Sequence, residues 1–172
     1  MSEPAELCEQ GKRAFEARRY DEAARLFGLA AEGYTLGRAG LLTAEMKNNQ
    51  SVALLKANKP AQALAAVEGT ELIFAGARDK KREAMAVGNH AAALEGLGRP
   101  DEALVLYQRA AEPFREAGEG QMRAMVLKAA AGIELKRGAL TESGLRMMEA
   151  LKTKDRPNLL ERALKSVLGR KR

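Results

Sequence analysis

Residues 97–112 read LGRPDEALVLYQRAAE, and the fold turns on whether that stretch stands alone. It does not. Residues 17–32 read ARRYDEAARLFGLAAE, residues 57–72 ANKPAQALAAVEGTEL and residues 137–152 RGALTESGLRMMEALK. The four segments share one forty-residue period, and self-similarity at such a period points to a stacked repeat architecture.

Aligned on the period, one position carries Ala23, Ala63, Ala103 and Ser143; four residues on come Phe27, Val67, Tyr107 and Met147; three further on come Ala30, Thr70, Ala110 and Ala150. Small, large, small at this spacing lie on one face of a helix. The small residues admit a second helix closely, and the large one fills the space between. Twelve residues upstream of each Ala or Ser stand Gly11, Ser51, Ala91 and Ala131, followed by Ala14, Leu54, Leu94 and Glu134. Glu134 is the outlier, and Ile133 and Leu135 are expected to take over its packing role. Between the two faces lie short breaks at 18–20, 58–60, 98–100 and 138–140. Pro60 and Pro100 suit a first helical turn, where a missing N–H costs nothing, and Gly98 and Gly138 suit a helix end. Each unit therefore reads as two antiparallel helices, with longer seams at 37–40, 77–79 and 117–120 between units.

With those positions in register, residues 5–152 resemble a tetratricopeptide repeat (TPR) protein. The usual TPR unit is about 34 residues, so this forty-residue unit is similar to the longer repeats of kinesin light chains and G-protein-signalling modulators. Ala77-Arg78-Asp79 before Glu83-Ala84, then Asn89-His90-Ala91, with Asn49-Gln50-Ser51 one period earlier, carry that closer likeness; the fourth unit departs from it with Ala129 at the Asn position. The resemblance implies an all-α, right-handed superhelix of four helix pairs over residues 1–155, divided at about 1–37, 38–77, 78–117 and 118–155. The segment RPNLLERALKSVLGRKR at 156–172 leaves the period but has an apolar stripe of Leu160, Ala163, Leu164 and Val167. It is expected to cap the last apolar face, making nine helices, with Arg170–Arg172 as a basic tail.

Composition agrees with an all-helical chain. Only 4% of residues are aromatic, Trp is absent, and no alternating apolar run suggests a strand. No apolar run approaches the ~20 residues that cross a bilayer. The acidic N-terminal stretch MSEPAELCEQ has no apolar core of a secretory signal, and Cys8, the one cysteine, cannot form an intrachain disulfide. A cytoplasmic location is the default expectation.

Catalysis finds little material. The one histidine, His90, sits beside a repeat-core position and reads as a packing residue; one His and one Cys far apart make no zinc site, and no phosphate-binding loop occurs. Neither a catalytic set, a metal nor a cofactor is expected. The TPR resemblance implies instead a concave groove lined by the first helix of each pair. On this chain that places Lys12 and Phe15 in the groove from the first unit, and Asn49, Val52 and Lys56 from the second. The third supplies Met85, Asn89 and Ala92, and the fourth Met125, Lys128, Leu135 and Lys136. Asn49 and Asn89 stand one period apart and suit hydrogen bonding to a ligand backbone. Met85 and Met125, also one period apart, either offer an adaptable apolar surface or pack between units. The lysine and asparagine clamp that TPR proteins use for chaperone C-terminal peptides is matched only at Asn49 among Cys8, Lys12, Asn49, Met85 and Asn89. The arginines that read acidic peptides in the signalling modulators are replaced by Glu45 and Met85. The expected partner is a protein presenting an extended segment or a helix.

Charge leaves a second reading open. Residues 121–172 carry 13 basic and 5 acidic side chains, more than the whole chain's net +6. Arg146, Lys152, Lys154, Arg156, Arg162, Lys165 and the Arg170–Arg172 tail suit nucleic acid or an anionic membrane, although stacking aromatics are absent there. A third reading is self-association, because an open-ended stack can add copies of itself.

Overall fold

The structure is a computed structural model that describes residues 3–138, 144–146 and 149. Among these residues every regular element is an α-helix: α1 (Pro4–Glu16), α2 (Tyr20–Leu36), α3 (Gly40–Lys56), α4 (Pro60–Val67), α5 (Thr70–Gly76), α6 (Lys80–Gly96), α7 (Pro100–Glu116) and α8 (Gly120–Lys136). Residues 144–146 and 149 are also helical. The remaining residues of the second helix expected in the fourth unit, and the segment 156–172 expected to cap the array, lie outside the described residues.

The helices end by one device, repeated every twenty residues. Arg18, Arg38, Asn58, Arg78, Gly98, Gly118 and Gly138 all have positive φ, between 56° and 79°. At six of these joints the next residue donates its N–H back five residues, as Arg19 does to the Ala14 carbonyl at 2.9 Å and Glu119 to the Phe114 carbonyl at 2.9 Å. The left-handed residue reverses the chain and itself donates three residues back, as Arg18 does to the Phe15 carbonyl at 2.9 Å, so the two bonds satisfy carbonyls that a helix end leaves open. Consequently the seams expected to be longer than the turns are the same length: Gly37–Ala39 between α2 and α3 matches Ala17–Arg19 between α1 and α2. The repeated element, seen in α2, α3, α6, α7 and α8, is a 17-residue helix followed by a joint at the same twenty-residue spacing.

Starts are set locally as well. Pro4, Pro60 and Pro100 open α1, α4 and α7, while Asp79 caps α6 by accepting from the Arg82 backbone N–H at 2.9 Å. The small-large-small positions form the core. Ala23, Ala63, Ala103, Ala30 and Ala110 are wholly buried, with Phe27, Val67 and Tyr107 between them. Gly11 lies so close to the Phe27 ring that an added Cβ would stand 2.8 Å from it. Tyr34, Phe74 and Phe114 form a second row of large residues one period apart, of which the latter two are buried. Burial of each such side chain contributes ~1.5–3 kcal/mol.

Two expectations need correction. The second helix of the second unit is not one helix but two, α4 and α5, broken at Glu68 and at Gly69, whose φ is +79°. Glycine alone does not cause this, since Gly28 lies inside an unbroken α2. The difference is polar: the Thr70 hydroxyl donates to the Val67 carbonyl at 2.7 Å and accepts from Asn48 Nδ2 at 3.0 Å. A side chain thus captures the carbonyl that the break releases, and a residue from α3 holds that side chain in place. The second correction concerns Glu134. Ile133 is buried as expected, but Leu135 is 54% exposed and Glu134 itself is buried, only 5% exposed, with its carboxylate accepting from Arg146 Nε.

Candidate binding groove

Two clefts meet along α1, α3 and α6. The first, about 330 Å³, is lined by Lys12, Phe15, Glu16, Phe27, Asn49, Val52 and Met85. The second, about 320 Å³, is lined by Glu45, Asn48, Asn49, Phe74, Asp79, Lys81, Arg82 and Met85. Asn49 and Met85 belong to both, so the pair forms one trough with an amide and a thioether at its waist. Three consecutive first helices supply it because positions four and seven residues apart on each point the same way.

Most of the wall charges have partners within the chain. Lys12 Nζ contacts Glu9 at 2.6 Å; Lys81 Nζ contacts Glu119 at 2.6 Å; and Arg82 reaches Glu45 at 3.6 Å and Asp79 at 3.5 Å. The Glu9 carboxyl is held below its ordinary range, chiefly by the hydrogen bond from Lys12, and Lys12 is raised by the same bond. Burial pushes up the Cys8 thiol, one turn before Lys12. The floor is apolar: Phe15 stacks edge-on against Tyr20 with ring centroids 5.3 Å apart, while Phe27 and Phe74 are buried beneath.

The two asparagines expected to act alike do not occupy equivalent settings. Asn89 Nδ2 donates to Asn48 Oδ1 at 2.9 Å, and Asn48 in turn donates to Thr70 Oγ1, so a relay runs from Asn89 through α3 to the α4–α5 break. Asn49 has no side-chain partner among the described residues and faces both clefts. An amide presents a donor and an acceptor together, which matches the N–H and C=O of one residue in an extended chain. Asn89 taking that role would strip a buried acceptor of its bond, at ~1–3 kcal/mol.

The other positions spread along the same helices outside the trough. Lys56 is exposed at the end of α3, and Ala92 is half-buried on α6. On α8, Met125 is 69% exposed, Leu135 and Lys136 are exposed and Lys128 is half-buried; none of the four lines either cleft. Sequence reasoning missed Asn48, whose period equivalents Cys8, Gly88 and Lys128 share no chemistry with it. It also missed Arg82, Phe74 and Glu16 as walls. A third and larger cleft of about 790 Å³ lies between α1 and α2, lined by Pro4, Leu7, Leu26, Leu29 and Leu36 among others. Size does not make it the better site, because it draws on one helix pair and its one amide, Gln10, already donates to Glu6.

Among the described residues no group of three or more His, Cys, Asp or Glu side chains is placed to hold a metal ion. No described helix is long and apolar enough to cross a membrane. Of the basic cluster, Arg146 is engaged with Glu134, and Lys152 onward lies outside the described residues. Compared with known proteins, the chain matches no protein-family model and no curated protein.

Proposed function

We propose that this chain is a non-catalytic, TPR-type interaction scaffold that holds an extended segment of a partner protein in the trough across α1, α3 and α6. The observation that carries the reading is Asn49: a half-buried carboxamide with no internal partner, standing between two apolar-floored clefts. The forty-residue register, the paired helices and the buried small-large-small face support the TPR assignment. A right-handed superhelix with a capped end belongs to the same proposal. In an extended segment, side chains two residues apart leave on the same side. One then enters the Phe15–Val52–Met85 cleft and its neighbour enters the Phe74–Met85 cleft, while Asn49 holds the backbone between them. Because the wall charges are already paired, apolar anchors rather than charge supply the affinity. Ordering an unstructured segment costs free energy, so the affinity is modest, about micromolar.

The test is capture on the immobilised chain from lysate in 0.3 M salt, in nuclease-treated and untreated halves, beside an Asn49→Ala bait. A protein retained by the wild type and weakened about tenfold by Asn49→Ala, which corresponds to about 1.4 kcal/mol, is the expected result. Equal binding by both baits removes the trough from the mechanism. Recovery of nucleic acid alone, lost on truncation after Asp155, moves the function to the basic end.

A further inference from the structure

The first helix pair leaves open a face that the fold buries elsewhere. Inside the array a first helix packs on the second helix of the unit before it: α3 on α2, α6 on α5 and α8 on α7. The positions matching Pro4 in α3, α6 and α8 are Ala44, Ala84 and Ala124, all buried. Those matching Leu7 in α6 and α8 are Val87 and Leu127, each 2% exposed, while α3 has Lys47 there. On α1, Pro4 and Leu7 instead line the cleft of about 790 Å³, over a floor that includes buried Leu26. Its α2 wall is an exposed stripe of Arg25, Leu29, Glu32 and Leu36. These four residues are spaced four, three and four apart, so they share one side of the helix.

Charge sets this stripe apart from its counterpart. On α7 the matching positions are Val105, Arg109, Glu112 and Glu116, and each charged member is engaged within the chain. Arg109 meets Glu71 at 3.9 Å, Glu112 meets Arg115, and Glu116 meets Lys80 at 3.9 Å. On α2, neither Arg25 nor Glu32 has an ion pair or side-chain hydrogen bond among the described residues. They stand on either side of Leu29, about 10 Å apart along the helix at ~1.5 Å per residue. Opposite charges flanking a central apolar side chain make a surface that is complementary to itself under a two-fold axis. We propose that two copies of the chain meet here, α2 against α2 and antiparallel, with the axis beside Leu29. Each Arg25 then lies opposite Glu32 of the second copy, and the two Leu29 side chains cover the apolar floors. A parallel arrangement would set Arg25 against Arg25 and Glu32 against Glu32, so the charges select the direction. The cleft shares no lining residue with the trough, so pairing occupies none of the trough's walls and each dimer carries two of them.

Sedimentation equilibrium of the full chain, from about 1 to about 200 μM, tests this. The wild type passes from monomer to dimer across that range, with a Kd of about 10 μM, in keeping with a small interface. Arg25→Glu and Glu32→Arg each set like charges opposite one another, and each weakens self-association about tenfold or more. Both positions are exposed, so the variants keep the wild-type fold, which circular dichroism checks. An equimolar mixture of the two variants restores opposite charges at both contacts and dimerises within about threefold of the wild type, with one copy of each per dimer. Four outcomes overturn the proposal. The wild type stays monomeric at the highest concentration; its mass climbs past the dimer, as a head-to-tail stack requires; the single variants associate as well as the wild type; or the mixture associates no better than its components.

Discussion

Asn48 and Asn89's other neighbour in register, Asn49, are adjacent in the chain and opposite in consequence, which makes Asn48→Ala the sharpest single perturbation of this fold. Asn48 is buried, donates to Thr70 Oγ1 at 3.0 Å and accepts from Asn89 Nδ2 at 2.9 Å; its longer approach to the Ala44 carbonyl, 3.4 Å, is marginal. Two buried hydrogen bonds at about 1 kcal/mol each, plus the small space left behind, give a loss of about 2–4 kcal/mol. The Thr70 hydroxyl still reaches the Val67 carbonyl, and half-buried Asn89 rehydrates, so the cost stays below that of a stranded buried charge. For a chain of this size, the loss corresponds to a fall in Tm of about 5–12 °C. Circular dichroism at 222 nm during heating, with urea unfolding as a second measure, reads it directly. Asn49→Ala, which breaks no internal bond, is expected to shift stability by less than about 0.5 kcal/mol and, under the proposed function, to weaken partner capture. Equal melting of the two variants, or a larger loss for Asn49→Ala, refutes the division of labour between them.

Other consequences follow from particular residues. Burial, reinforced by the Glu95 carboxylate that accepts its hydroxyl, raises the Tyr107 phenol above its ordinary value of 10.0. Above about pH 10 the unfolded chain releases this proton while the folded chain keeps it, so stability falls as pH rises from there, by up to ~1.4 kcal/mol per pH unit. Urea midpoints from pH 9 to 11 show that fall in the wild type and a smaller one in Tyr107→Phe. Phe74→Ala empties a wholly buried site beneath the second cleft and is expected to cost ~3–5 kcal/mol in urea unfolding. Gly69→Ala forces a Cβ onto φ +79° and is expected to cost ~1–2 kcal/mol, read by the same assay; no change there shows that the break tolerates an ordinary residue.

The repeat was legible because a packed helix face leaves a mark wherever two backbones meet closely, and Ala23, Ala63 and Ala103 carry that mark in register. The joints were half-legible: Asn58, Gly98 and Gly138 are residues that suit a left-handed turn, but nothing about Arg18, Arg38 or Arg78 proposes one, and only the period located them. The α4–α5 break was not legible, because its cause is Asn48, twenty-two residues away and on another helix. Asn49 was singled out by its spacing from Asn89, yet spacing carried no sign that the Asn89 amide donates to Asn48. Glu134 was recognised as odd but not as buried, since its counter-charge, Arg146, stands where earlier units have Leu or Ala. At the break, at Asn89 and at Glu134 the missing information was a pairwise tertiary contact, which a periodic pattern averages away.

The arginines at the joints bear on how far this fold can be stabilised. Arg18, Arg38 and Arg78 hold φ of 59°, 56° and 57°, a conformation that an ordinary side chain adopts at ~1–2 kcal/mol while glycine does so freely. The later joints at 98, 118 and 138 already use glycine. The N-terminal half is therefore stiffened by conformations its own residues disfavour, and its stability sits below what the same backbone permits. Replacing these three arginines with glycine, as the chain itself does further on, is expected to raise the midpoint of urea unfolding stepwise, one joint at a time. None of the three lines the trough, so durability can be adjusted without altering a side chain of that surface.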